Sequence, residues 1–426
     1  MKPRAETHRA FRSADRGYAL VMALLTLAVL LVAASSFMRL NLTEDQIATS
    51  DRDLLLALNA AEAGVQQAIQ NIKAAGTLTA LLGDPARNTG TSTFPNGEAY
   101  TFVIANDPAE SATPTTDANG YLKITSTGRA RNASRIIETV VYVPRIPGLP
   151  APIYVPGAEG ESTFSGTAFI VDGHDTDPVS ETRTGGVTKL GVGAGSTAVR
   201  NTIYNALSGA ERTLPVFDGT SGDYSGQPSL ALDTTLTSDN VQAMADLYGQ
   251  FASPQNAVSL GAGGSLNVGG THTYANGAGG SPTIANNQAW GTRTNPGVFK
   301  ISGITMADYN ANNAVTVPTL NISGNFEGAG ILILDGTYLN VSGDFRWEGI
   351  IIVTGPKIGI SIGGGGHQKV FGAVLVNERA SDRCRAAICD ELILLGNPTI
   401  KYSQTAINNA ARALGQRYIY WNERGA

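Results

Sequence analysis

Three stretches of this 426-residue chain bring together residue types that can do chemistry. The first is Val171-Asp-Gly-His-Asp-Thr-Asp-Pro178, which sets Asp172, Asp175 and Asp177 around His174. Closely spaced carboxylates offer hard oxygen ligands, the chemistry of Ca²⁺. The helix-loop calcium pattern is absent, because no glutamate stands at the required distance beyond a central glycine. The competing expectation is a solvated turn whose aspartates bond to backbone amides. Asp172, Asp175 and Asp177 are the metal candidates of the chain, and His174 is too isolated to build a catalytic dyad. The second stretch, Gly191-Val-Gly-Ala-Gly-Ser-Thr197, has the glycines of a phosphate loop. It lacks the lysine before Ser/Thr and shows no firm strand–loop–helix frame, so it reads as a glycine-rich turn. The third, Gly359-Ile-Ser-Ile-Gly363, has the letters of a nucleophile elbow, but glycines rather than a helix follow it. No catalytic residue and no cofactor is expected.

Composition narrows the classes further. There are two cysteines, Cys384 and Cys389, and four histidines, so one chain cannot build a four-cysteine zinc site. Net charge is −5, which argues against a general nucleic-acid binder. Charged residues are 15% against roughly 25% in ordinary soluble domains. Glycine supplies 50 residues without a collagen period, which predicts tightly turned β-structure.

The elements that position everything else begin at the N-terminus. Residues 1–17 carry Lys2, Arg4, Arg9, Arg12 and Arg16 against Glu6 and Asp15, a basic leader. Tyr18 to Phe37 follows without a charge, and as a helix it would span about 30 Å, the thickness of a bilayer core. The basic flank is expected to stay in the cytoplasm and the rest to be exported. A cleaved secretory signal with its site near Ala33–Ser36 and a plain membrane anchor are the competing readings. The helical pattern continues past the apolar run. Leu54, Leu58, Ala61, Val65, Ala68 and Ile72 recur at three- and four-residue steps. Ala57, Ala60, Ala61 and Gly64 keep that surface thin enough for close packing by a sheet. Tyr18–Lys73 is therefore expected to be one helix, apolar all round in its first half and amphipathic in its second.

Arg16-Gly17-Tyr18, the apolar run, Arg39, Glu44, Arg52 and Ala60-Ala61-Glu62-Ala63-Gly64 resemble the N-terminal region of PilX-type pilus assembly proteins. The resemblance covers about the first 75 residues. It implies cleavage between Gly17 and Tyr18 by prepilin peptidase and assembly into a type IV pilus or related filament. One departure stands out: most major pilins carry Glu as the fifth mature residue, where this chain has Met22.

Beyond the helix, residues 74–145 predict a small antiparallel sheet from Tyr100–Ala105, Leu122–Thr127 and Arg135–Val143. Four prolines between Pro144 and Pro152 predict a stiff linker at 146–152. In residues 153–403, Leu320-Asn-Ile-Ser-Gly-Asn-Phe326 recurs nineteen residues later as Leu339-Asn-Val-Ser-Gly-Asp-Phe345, and Gly330–Leu334 recurs at the same offset as Gly349–Val353. A looser third copy follows in Ile358–Ile362 and Gly372–Val376. A fixed period near twenty predicts stacked coils, a β-solenoid. Ser238–Ala252 and Gln404–Leu414 read as helices, and residues 404–426 as a closing helix and strand. The expected fold class is α+β: a long pilin-type helix with a small antiparallel sheet, then a large mainly-β domain.

The function expected from these features is structural: a minor pilin-like subunit, at a filament tip or in priming. Its expected partners are other pilins and minor pilins, prepilin peptidase, the inner membrane before assembly, and a surface or cell receptor, with no nucleic acid. An exported, membrane-anchored polysaccharide-active enzyme and a type II secretion pseudopilin are the alternatives. Cys384 and Cys389, exported with the head, are expected to form a short-loop disulfide just after the last repeat.

Overall fold

The computed structural model describes residues 14–75, 78–110, 112–117, 119–166, 168–213, 216–224, 228–279, 287–380, 390–415 and 417–425. Cys384 and Cys389 lie outside the described residues. The chain divides into two compact units, one running to Val141 and taking in Tyr418–Ala426, the other Tyr142–Arg417.

The first unit is built on helix α1 (Ala14–Ala74), a little longer than the periodicity predicts. No proline interrupts it, and the chain turns into two short helices, Leu78–Leu82 and Pro85–Asn88. The second starts as its sequence dictates: Asp84 accepts from the Ala86 amide and Pro85 opens the helix. Four strands follow, β1 (Thr89–Thr93), β2 (Ala99–Asn106), β3 (Tyr121–Ala130) and β4 (Ala133–Tyr142). β1–β2 and β2–β3 pair antiparallel. Strand β1, Thr-Gly-Thr-Ser-Thr, was not legible, because an exposed edge needs no apolar alternation. Ahead of β3 the Gly120 amide donates to Asp117 Oδ1 at 2.9 Å.

The C-terminal region corrects one expectation. Residues 404–426 do not form a single closing element. Helix Gln404–Ala411 lies in the second unit, while the last strand, Arg417–Gly425, is the fifth strand of the small sheet beside β4. It is held there by Thr139 Oγ1 donating to the Tyr420 carbonyl at 2.6 Å and by Arg424 on Glu138 at 3.1 Å. The 146–152 stretch is corrected too. It is extended, but Leu149 and Ala151 are buried, and the Tyr248 hydroxyl bonds to the Arg145 carbonyl, so it is a docked segment of the second unit and not a free linker.

In the second unit the repeats lie side by side in parallel register. Leu320 pairs with Leu339 and Leu339 with Ile360; Ile331 pairs with Ile350 and Ile350 with Ala373. The first halves of the copies belong to a six-stranded sheet and the second halves to a larger one, and the sheets do not close on themselves. Between the two sheets lies a core that includes Leu320, Leu339, Ile360 and Leu392 from one and Leu332, Leu334, Ile351 and Val353 from the other. The opposite face of the larger sheet carries Ile331, Ile333, Ile350 and Ile352, buried with the helix residues Val241, Ala245, Tyr248, Ile407 and Ala410. Burial on both faces explains the unbroken apolar runs Ile331–Leu334 and Ile350–Val353. The exposed face of the smaller sheet alternates instead, and a ladder of amides runs along it: Asn340 donates to Asn321 at 3.0 Å and Asn321 to Asn267 at 2.8 Å.

Glycine is mandatory where the copies stack. Gly330, Gly349 and Gly372 have φ of 127°, 134° and 133°. A Cβ on Gly349 would lie 2.1 Å from the Gly330 carbonyl oxygen, and one on Gly372 1.9 Å from that of Gly349.

Candidate functional site

The first candidate site is helix α1 itself. From Tyr18 to Ile47 its large apolar side chains are exposed, Tyr18 by 70% and Phe37 by 67%. Among the described residues that surface has no partner inside the molecule. It is long and apolar enough to cross a membrane, which fits a single-pass anchor. Gly17 lies one residue before it, within the helix.

From Ala57 onward the same helix is buried against β2 and β3. Ala57, Ala60, Ala61, Val65, Ala68, Ile69 and Ile72 are all 5% exposed or less. The predicted stripe is shifted slightly: Leu54 and Leu58 are half-buried, and Ala57, Ala60 and Ile69 share the buried face. Small residues on both sides set the distance. A Cβ on Gly128 of β3 would stand 1.9 Å from the Ala57 carbonyl oxygen and 2.4 Å from the Ala61 amide nitrogen. A Cβ on Gly64 would stand 2.2 Å from Ser126 Oγ, and that hydroxyl donates to the Ala61 carbonyl at 2.7 Å. Gly128 is a strand residue whose missing side chain admits the helix backbone. The turn itself is Arg131-Asn132, with Arg131 at φ 50° and its guanidinium 3.4 Å from the buried Asp53 carboxylate.

The aspartate cluster does not converge. Asp172 ends a parallel strand and is held bidentately by Arg183 at 2.9 and 3.0 Å, with His174 Nδ1 on its other oxygen at 2.8 Å. Arg183 also reaches Asp218 at 2.5 Å. Asp175 accepts from the Gln404 amide at 2.8 Å and from Thr184 at 2.7 Å. Asp177 accepts from the amides of Val179 and Ser180 at 2.9 and 2.7 Å, and those bonds hold its carboxyl below the usual range. Asp172, Asp175 and Asp177 stand on different elements, and each accepts hydrogen bonds from within the protein.

The glycine-rich 191–197 stretch does have a strand before it, Val192–Ala194, and a helix after it, Thr197–Ala206, a frame the sequence did not disclose. Its glycines serve packing: a Cβ on Gly193 would meet the Tyr154 ring at 2.8 Å and one on Gly195 the Pro156 backbone at 2.8 Å. Ser361 lies in a parallel strand, as the failed elbow frame predicts. Trp290 and Trp347 are fully buried, whereas Trp421 is 40% exposed.

Two charged clusters escaped the sequence reading. Glu348, 3% exposed, receives Arg293 through two 2.6 Å bonds and Arg346 Nε at 2.7 Å. Arg346 and Lys369 then share Glu181 at 2.6 and 2.7 Å. Burial pushes the Glu181 carboxyl up, but Lys369 and Arg346 outweigh it and hold the group below its ordinary value. The second cluster is Glu159, Glu161 and Glu391, whose carboxylate oxygens lie within 4.8 Å of one another. The only sequence signal was position: Glu161 and Glu391 each stand immediately before a strand, more than two hundred residues apart.

Residues 16–66 match the family model described as PilX N-terminal, the stretch that covers the exposed helix and most of its docked half. The chain carries a PilX-type, pilin-like N-terminal region. PilX-type proteins are structural pilus subunits and not enzymes, in keeping with the structural expectation. Comparison with curated proteins finds no match. Among solved structures the chain is similar to the crystal structure of the competence-associated pilin ComZ from Thermus thermophilus, with 12% identity and a TM-score of 0.26 over 88% of this chain and 98% of that one. A likeness at that score carries no argument about the heads.

Proposed function

We propose that this PilX-type chain is a minor pilin-like subunit of a type IV pilus or related filament, placed at or near the tip, with its large second unit projecting as the head. The observation that carries the reading is the single helix α1, uncharged and exposed from Tyr18 to Phe37 and docked from Ala57 to Ile72. One half suits lipid before assembly and the apolar core of a filament afterwards; the other half carries the small sheet of the first unit. Prepilin peptidase cutting between Gly17 and Tyr18 would leave that helix intact. In the pilin family the fifth mature residue is a glutamate that pairs with a neighbour's N-terminal amine. An unpaired charge in an apolar core is costly, and Met22 has no carboxylate to meet one. Met22 therefore fits a position with no subunit ahead of it.

The parallel register at offset nineteen, the stacked glycines and the amide ladder support a short β-solenoid in the second unit. Such a head offers a long polar sheet face for contact with a surface or cell receptor. N-terminal sequencing of the mature protein tests the processing step: Tyr18 is expected first, and a chain starting after Ser35 would sink the reading. Gold-labelled antibody against the head is expected at sparse filament ends; uniform labelling along the shaft would overturn the tip position.

A further inference from the structure

Strand Ser162–Ser165 and strand Leu392–Leu395 are parallel neighbours, with Ser162 opposite Leu392. Glu161 and Glu391 sit one residue before them, and the Glu391 amide donates to the Glu161 carbonyl at 2.9 Å. Neighbouring strands run about 4.8 Å apart, and in-register side chains of a parallel pair point to the same face. The fold thus places two carboxyl groups side by side, and Glu159 brings a third within 4.8 Å.

This arrangement is unfavourable as it stands. Glu391 is 5% exposed, and among the described residues neither its Oε2 nor the buried Oε2 of Glu161 has a hydrogen-bond partner. A buried, unpaired carboxylate oxygen carries its full desolvation cost. Burial pushes the Glu391 carboxyl up to about 9, and the charges of Glu161 and Glu378 add to the rise. A proton serves one carboxyl alone, and the unpartnered buried oxygens belong to two residues, Glu161 and Glu391. A dication answers all three groups at once. The donor set is oxygen only, without histidine or sulfur, which selects a hard cation. Carboxylates on a strand entry and its leading loop can adjust their bite, which suits the variable coordination of calcium better than the strict octahedron of magnesium.

We propose that Glu159, Glu161 and Glu391 form a Ca²⁺ site that ties the entry of strand Ser162–Ser165 to the entry of strand Leu392–Leu395. The site is separate from the Asp172–Asp177 turn, where Arg183 and backbone amides already satisfy the aspartates. Three carboxylates with incomplete coordination from the protein predict an affinity in the range of extracellular calcium modules, about 10⁻⁴–10⁻³ M.

The test is isothermal titration of Ca²⁺ into the full chain, purified in detergent and stripped with chelator, beside the variants Glu391→Gln, Glu161→Gln and Asp175→Asn. One saturable site per chain in the wild type is expected, lost in both glutamine variants and kept in Asp175→Asn. A Ca²⁺-dependent rise in the unfolding temperature of the wild type should accompany it and vanish in Glu391→Gln. No saturable binding by the wild type would overturn the proposal in favour of a shared proton. Binding that survives in both glutamine variants, or that disappears in Asp175→Asn alone, would also overturn it. The wild-type titration decides without any variant, so a variant that fails to fold does not shield the idea.

Discussion

Gly128→Ala is the sharpest probe of how the helix meets the sheet. The new Cβ would sit 1.9 Å from the Ala57 carbonyl oxygen, 2.4 Å from the Ala61 nitrogen and 3.0 Å from the Ala61 Cα. All three are backbone atoms of α1, so no side chain can swing aside. Ordinary contact begins near 3.4 Å, and the strand and helix must separate by about 1.5 Å to reach it. Ala57 and Ala61 are wholly buried there, and the shift would open gaps around Val65, Ile124 and Ala68, each also wholly buried. Overpacking of this kind costs about 1–3 kcal/mol. Because the clash is with backbone, the upper end applies, about 3 kcal/mol. Gly128 does not adopt a left-handed conformation, so the cost is steric and not conformational. Amide hydrogen exchange of the detergent-solubilised protein reads it directly. At 1.4 kcal/mol per factor of ten, β3 amides should lose protection by roughly a hundredfold. Gly97→Ala is the control: nothing lies within 4 Å of its Cβ, and only its φ of 91° resists the side chain, a cost of about 1 kcal/mol. Unchanged β3 protection in Gly128→Ala would refute the close-packed docking.

Other perturbations reach the second unit. Gly349→Ala combines a 2.1 Å approach to the Gly330 oxygen with a φ of 134°, and should yield insoluble or unfolded protein, whereas Gly365→Ala, with open space around it, should melt like the wild type; solubility and thermal melts compare them. Glu348→Gln leaves Arg293 and Arg346 facing a neutral group; both arginines keep some solvent and Arg346 keeps Glu181, so the loss should be about 1–3 kcal/mol, measurable by denaturant unfolding. The depressed carboxyls of Glu181 and Asp223 give a pH signature. For Glu181 the bonds and charges of Lys369 and Arg346 overcome burial; for Asp223 the Leu232 amide leads, followed by Arg200. A depressed folded pKa contributes stability that is present above the unfolded value, near 4, and lost as pH falls through the lower folded one. The difference in melting temperature between the wild type and Glu181→Gln should hold from pH 7 to about 5 and shrink below about 4.

Legibility followed locality. Helix α1 was visible because its signal is one continuous pattern, first apolar without interruption and then periodic, and the alanines and Gly64 that thin its inner face foretold a close sheet. The repeats were visible because parallel strands in register reuse the same residue types at the same offset: Leu320 over Leu339, Gly330 over Gly349. The last strand, by contrast, gave no sign that it would join β4, since Arg417–Gly425 pairs with residues nearly three hundred positions earlier. The prolines at 144–152 foretold extended backbone, but nothing in their spacing shows that Leu149 and Ala151 bury themselves.

The same contrast explains why the charged clusters stayed hidden. Asp172, Asp175 and Asp177 crowd together in sequence, yet successive elements turn them toward different donors, and each finds its own. Glu161 and Glu391 are remote in sequence, yet a single parallel pairing sets them abreast with Glu159. Proximity along the chain lets a carboxylate meet a backbone amide, the bland solution. Proximity across a parallel register fixes two like charges on one face, where neither backbone can bend to relieve them. Among the described residues the buried oxygens of Glu161 and Glu391 find no hydrogen-bond partner, and that shared want is what the proposed ion would meet.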